Sequence, residues 1–136
     1  MRNRESLIRL HRFQVDEKRR KVAELETMLA EFRSGEQELE AQVQVEQRKA
    51  GISDVAHFAY PMFAKSVIRR RENILNSISE ILQQLEGAKD ELAAAFQELK
   101  KYEIMQESSK RRVRKELAHM EQVQLDGIAI DMHRRR

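Results

Sequence analysis

The sequence predicts an all-α fold: a long two-helix antiparallel coiled-coil hairpin in which the second helix overhangs the first. Three observations predict it. Apolar residues recur at alternating three- and four-residue steps along most of the chain, the period of a helix seam and not of a strand. Four Gly and one Pro in 136 residues leave few places to break a helix. Charged residues make up 36% of the chain and aromatics only 5%, too little bulk for a thick core. A β-sandwich or an α/β enzyme is therefore disfavoured. The lack of Cys excludes disulfide scaffolds and thiolate metal sites and fits a reducing compartment.

The first helix is expected over about 4–50. Its ladder runs through Ile8, His11, Val15, Lys18, Val22, Leu25, Leu29, Phe32, Glu36, Leu39, Val43, Glu46 and Ala50, and nine of these thirteen positions are apolar. Asn3 or Ser6 is the candidate N-cap, and Glu5 suits the positive end of the helix dipole. Gly51 is the candidate C′ residue, since without a Cβ it can turn left-handed and end the helix. Gly35 lies inside the helix, where Gly costs about 1 kcal/mol relative to Ala, and with Glu36 beside it on the seam the packing should loosen there.

A connector follows over about 51–60. Ser53 or Asp54 is placed to cap a short helical turn. Pro61 suits the first position of the next helix, where its missing N–H needs no partner, and Tyr60 before it is pushed away from helical angles. A connector this short returns the chain antiparallel.

The second helix is expected over about 61–130, with a basic tail at 131–136. Its ladder is Ala64, Val67, Arg71, Ile74, Ile78, Ile81, Leu85, Ala88, Leu92, Ala95, Leu99 and Tyr102. A weaker continuation runs through Gln106, Ser109, Val113, Glu116, Met120, Val123, Gly127 and Ile130. Leu75, Leu82, Phe96, Leu117, Leu125 and Ile128 widen the stripe. At 1.5 Å per residue the helices are roughly 70 Å and roughly 105 Å long, so the second must overhang. Folding about residue 56 places Ile8 near residues 104 to 106. The stretch from about Ser109 then carries Val113, Leu117, Met120, Val123 and Ile130 without an intramolecular partner, the mark of a binding surface. The whole of 1–136 is expected to form this single hairpin.

Charge is unevenly spread. Residues 1–21 hold eight Lys/Arg against three Asp/Glu, and residues 110–136 hold eight against four, a combined +9 at the open end of the expected hairpin. Residues 22–109 hold ten against sixteen, or −6. Such separation steers a molecule toward an acidic partner by its basic end.

Catalytic chemistry is absent from the pattern. There is no GxxxxGK[ST] phosphate loop. His11, His57, His119 and His133 show neither HxxxH nor HExxH spacing, and His11 reads as a tolerated polar seam residue. Acidic pairs such as Asp90-Glu91 lie on exposed helix faces with no pocket to shift their pKa. The expectation is a non-enzyme without cofactor, metal or small-molecule substrate. No apolar run is long enough to span a membrane, and the N-terminus lacks a signal-peptide core, so no membrane insertion and a cytoplasmic location are expected.

Two short motifs then give a family resemblance. The tail Gln124-Leu125-Asp126-Gly127-Ile128-Ala129-Ile130, followed by His133-Arg134-Arg135-Arg136, resembles the C-terminal pattern Leu-Asp-Glu-Ile-Ala with scattered arginines of the FliJ family of flagellar type III export proteins. Gly127 stands where that pattern has Glu, a change expected to fray the last turn. Tyr60-Pro61-Met62-Phe63, then Ser66-Val67, resembles the family's Tyr-x-x-Phe opening of the second long helix.

The resemblance implies a stalk and escort protein, peripherally associated with the inner membrane at the flagellar base. Its implied partners are the export ATPase hexamer, the cytoplasmic region of the export gate, and export chaperones. Arg111, Arg112, Arg114, Leu117, Asp126 and Ile130 would face the ATPase. Phe63, Val67, Arg70 and Ile74 would form the gate-contacting strip, with Arg70 standing where a smaller residue is expected. Val67 and Ile74 lie on the ladder and also suit seam packing, whereas Phe63 falls just off it. The equivalent stalk of a virulence type III secretion system is an alternative. So is a basic coiled coil that binds nucleic acid or pairs as a homodimeric scaffold. The basic clusters lack interleaved aromatics for base stacking, which counts against nucleic acid.

Overall fold

A computed structural model describes residues 2–52 and 54–135, with side chains described from 3–52 and 57–135. The fold class is the expected one: two long helices packed against each other as a helical hairpin, with no strand among the described residues. Helix α1 spans Arg2–Ile52 and helix α2 spans Asp54–Arg134.

The ladders set what is buried. All thirteen positions of the α1 ladder are buried or half-buried, while its other described residues are exposed apart from Arg4 and Gly35. On α2, every ladder position from Ala64 to Tyr102 is at least half-buried except Arg71. The buried hydrophobic side chains are Ile8, Val15, Leu25, Leu29, Leu39, Ile81, Leu85, Ala88 and Leu99, every one a ladder residue. Leu75, Leu82 and Phe96, expected to widen the stripe, stay exposed. Two helices cover only the narrow a/d stripe of each other, and a residue one step off it has nothing above it.

The chain divides into two compact units. In Asp16–Ala94, Leu25 and Leu29 of α1 pack with Ile81, Leu85 and Ala88 of α2, flanked by Val22, Phe32 and Ile78. The helices run antiparallel here, with Lys18 Nζ donating to Glu91 Oε2 at 2.9 Å at one end and Gln47 Nε2 donating to the Tyr60 hydroxyl at 3.1 Å at the other. In Met1–Val15 with Ala95–Arg136, His11 stacks on Tyr102 and Arg12 Nε lies 3.9 Å from Glu103 Oε1, while residues earlier in α1 meet later ones of α2, so the two segments are again antiparallel. Arg4 and Leu7 line the same cleft as Met105, Gln106 and Ser109, so Ile8 meets α2 where the fold about residue 56 places it.

The helix ends depart from expectation. Helix α1 is already helical at Arg2, so Asn3 and Ser6 lie within its first turns and cap nothing, although Glu5 does sit in the first turn. Gly51 is helical, and no glycine among the described residues has a positive φ. Helix α2 starts at Asp54, so Tyr60 is helical and Pro61 lies inside the helix instead of opening it. Of the expected ten-residue connector, 51–52 belong to α1 and 54–60 to α2, and residue 53 lies outside the described residues. Gly costs a helix only about 1 kcal/mol and Pro about 3 kcal/mol, and packing of the flanking turns on the opposite helix outweighs such propensities. The cap expected from the Ser53 or Asp54 side chain lies outside the described residues. At the other end α2 runs through Gly127 without fraying, and the Arg135 N–H donates to the Asp131 carbonyl at 3.1 Å. The tail from 131 is therefore mostly helix, and Arg136 is outside the described residues.

Candidate protein-docking surface

No described residue from Lys110 to Arg135 is even half-buried. Ser109 is the last half-buried residue of α2, and past the clefts that Lys110 and Arg111 share with α1 the helix continues with every described residue exposed. Val113, Leu117 and Met120, at steps of four and three, share one helix face and are all exposed. Val123, Leu125, Ile128, Ile130 and Met132 extend the apolar surface, each more than half exposed. The expected unpartnered stripe is thus present, and it is long.

Its charges are held loosely. Arg111 Nε and Arg114 Nη2 both approach Glu107 Oε1, at 4.0 Å and 3.8 Å, so one carboxylate is shared by two guanidinium groups. Arg112 makes no ion pair among the described residues. Asp126 Oδ1 accepts from Gln122 Nε2 at 3.1 Å, one turn back on the same helix. Exposed pairs of this kind contribute little to stability, so the arginines remain available to an incoming acidic surface. Leu117 and Ile130 are each 54% exposed, Leu117 one turn beyond Arg114 and Ile130 near the end of α2.

The strip Phe63, Val67, Arg70 and Ile74 lies in the Asp16–Ala94 unit. Arg70 is exposed, but Val67 and Ile74 are half-buried on the seam. Phe63, although off the ladder, is also half-buried. Its ring lies 6.3 Å from that of Tyr60, and it lines a groove of about 240 Å³ with Leu39, Val43 and Val67. Glu36 lines this groove as well, next to the half-buried Gly35. The strip therefore divides: three members sit between the helices and one faces outward.

His11 is half-buried on the seam, and His57, His119 and His133 are exposed. No group of three or more His, Asp or Glu among the described residues is arranged to hold a metal ion. No helix among them is long and apolar enough to cross a membrane. Two residues escaped the sequence reading: Phe58 and Met62 are among the most exposed large apolar side chains, and their spacing of four, off the seam, was the available signal.

Comparison with known proteins bears on this surface, because it ends in the motif around Asp126. The family described as flagellar FliJ protein matches residues 5–136, taking in both ladders and the C-terminal stretch. The chain belongs to the FliJ family. Flagellar FliJ proteins from two strains of Caulobacter vibrioides are each 32% identical to it over 127 residues, covering 92% of this chain and 90% of theirs. No solved structure matches the chain.

Proposed function

We propose that this FliJ-family chain is a non-enzymatic stalk and escort component of bacterial flagellar type III protein export. Its C-terminal stretch docks into the ring of the export ATPase and promotes ring assembly, without itself hydrolysing ATP. The observation that carries this reading is the run from Val113 to Met132, where every large apolar side chain is exposed and which opens on a basic cluster, Lys110, Arg111, Arg112, Arg114 and Lys115. A helix that keeps such a stripe out of its own core reserves it for a partner, and apolar anchors that follow directly on a basic cluster suit a groove with an acidic entrance.

The gate contact falls to the strip at Phe63, Val67, Arg70 and Ile74, with Arg70 as its outward member. Because the other three pack between the helices, they set the shape of this part of α2, and Arg70 and its exposed neighbours meet the gate. Export chaperones are further partners. The protein acts in the cytoplasm and associates peripherally with the inner membrane at the flagellar base.

Affinity capture of the cognate export ATPase by the full-length chain tests this. Replacing Leu117 and Met120 by Ser should weaken capture by about tenfold or more, because both are exposed anchors of the proposed contact. Retention of full capture by this variant would refute docking through the C-terminal stretch.

A further inference from the structure

The turn-proximal part of α2 carries apolar side chains on the wrong face for a helix pair. Phe58, Met62, Lys65 and Arg69 follow steps of four, three and four, and all four are exposed. Each precedes by two positions a member of the series Tyr60, Ala64, Val67 and Arg71, and two positions correspond to about 200° around a helix. Tyr60, Ala64 and Val67 are half-buried toward α1, so the Phe58 stripe lies on the side of α2 turned away from α1. Phe58 is 85% exposed and Met62 79%, and with Ile52 at the end of α1 they are the three most exposed large apolar residues described. They contribute nothing to the seam.

The charge around them is distinctive. Residues 47–71 hold six Lys/Arg (Arg48, Lys49, Lys65, Arg69, Arg70 and Arg71) and a single acidic residue, while the rest of 22–109 holds four Lys/Arg against fifteen Asp/Glu. The −6 of the region between the basic termini is therefore +5 at the turn end and −11 elsewhere. Of the six, only Lys49 has an ion-pair partner among the described residues, Glu46 at 3.5 Å.

We infer that this face is a docking surface for an anionic phospholipid bilayer. Basic side chains beside an aromatic ring and a flexible thioether match both parts of such an interface: the negative headgroup layer attracts the cations, and the acyl boundary takes up the apolar tips. A fluid surface accommodates two protruding side chains without a preformed pocket, whereas a protein partner would require a larger contiguous apolar patch around them. Lys65 and Arg69 extend the stripe by two further turns and carry long stems that let their charged ends reach the headgroups while Phe58 and Met62 enter. The inference gives a surface to the peripheral membrane association proposed above; it does not rest on the ATPase contact at the other end of α2, although Lys65 and Arg69 adjoin the strip proposed for the gate.

Full-length protein tests this with vesicles of phosphatidylcholine mixed with phosphatidylglycerol, compared with phosphatidylcholine alone. The chain contains no Trp, so Phe58→Trp supplies a unique fluorophore. Its emission should shift to the blue with anionic vesicles and revert at high salt. Cosedimentation should fall about tenfold in the double variant Phe58→Ser with Met62→Ser, and comparably in Lys65→Glu with Arg69→Glu. Unchanged helicity by circular dichroism shows that neither variant acts through the fold. Three results would overturn the inference: emission of the Phe58→Trp variant unmoved by anionic vesicles; cosedimentation that survives both double variants but is lost when Arg111, Arg112 and Arg114 are reversed to Glu; or polyglutamate giving the same blue shift as vesicles, which would make the face a site for acidic protein.

Discussion

The imidazole of His11 stacks on the ring of Tyr102, with centroids 4.6 Å apart and planes inclined by 19°. The stack joins α1 to α2 at a seam position where an aliphatic residue is usual, and it leaves the His11 Nδ1 buried without a hydrogen-bond partner among the described residues. A buried polar atom without a partner lowers stability, whereas the stacked face contributes to it. His11→Phe should therefore keep the stack, remove the unpartnered nitrogen and raise stability by about 1 kcal/mol. His11→Ala should lower it. Urea unfolding followed by circular dichroism measures both.

A second prediction contrasts two leucines. Leu25 is 1% exposed in the core with Leu29, Ile81, Leu85 and Ala88, and Leu117 is 54% exposed. Leu25→Ala should cost about 2 to 3 kcal/mol by lost burial and the cavity left behind. Leu117→Ala should change stability by less than about 0.5 kcal/mol. Equal costs in denaturant titrations would mean that the C-terminal stretch is part of the fold after all.

Gly35 offers a stabilising change. It is helical, its φ is not positive, and a Cβ built on it would meet nothing within 4 Å. Gly35→Ala should raise stability by about 1 kcal/mol, through helix propensity and a less flexible unfolded chain. A higher urea midpoint with an unchanged slope is the expected result.

These residues also show how far the sequence could be read. The seam was legible nearly throughout, with Arg71 exposed and Phe63 half-buried among the exceptions, because a two-helix fold buries little except its a/d positions and a period-3.5 pattern marks those directly. His11, Lys18, Glu36 and Glu46 are half-buried despite their polarity because position along the helix, not chemistry, places them there. The exposed end of α2 followed from the unequal ladder lengths. The turn was not legible. Gly51 and Pro61 are strong local signals, yet each opposes the helix by only a few kcal/mol, and a long cooperative helix with packed neighbouring turns absorbs that. The error carried consequences: with α2 beginning at Asp54, Phe58 and Met62 belong to a helix and share a face, and Phe63 falls between the helices instead of outside them.

The central claim, that the exposed basic and apolar end of α2 seats in an ATPase ring, is tested most directly by the hydrolysis rate of the cognate export ATPase titrated with this protein. Wild type should stimulate the rate, and the triple variant Arg111→Glu, Arg112→Glu and Arg114→Glu should lose about tenfold or more in potency while keeping its helicity, since all three side chains are exposed. Stimulation and ring formation undiminished by the triple reversal would contradict it.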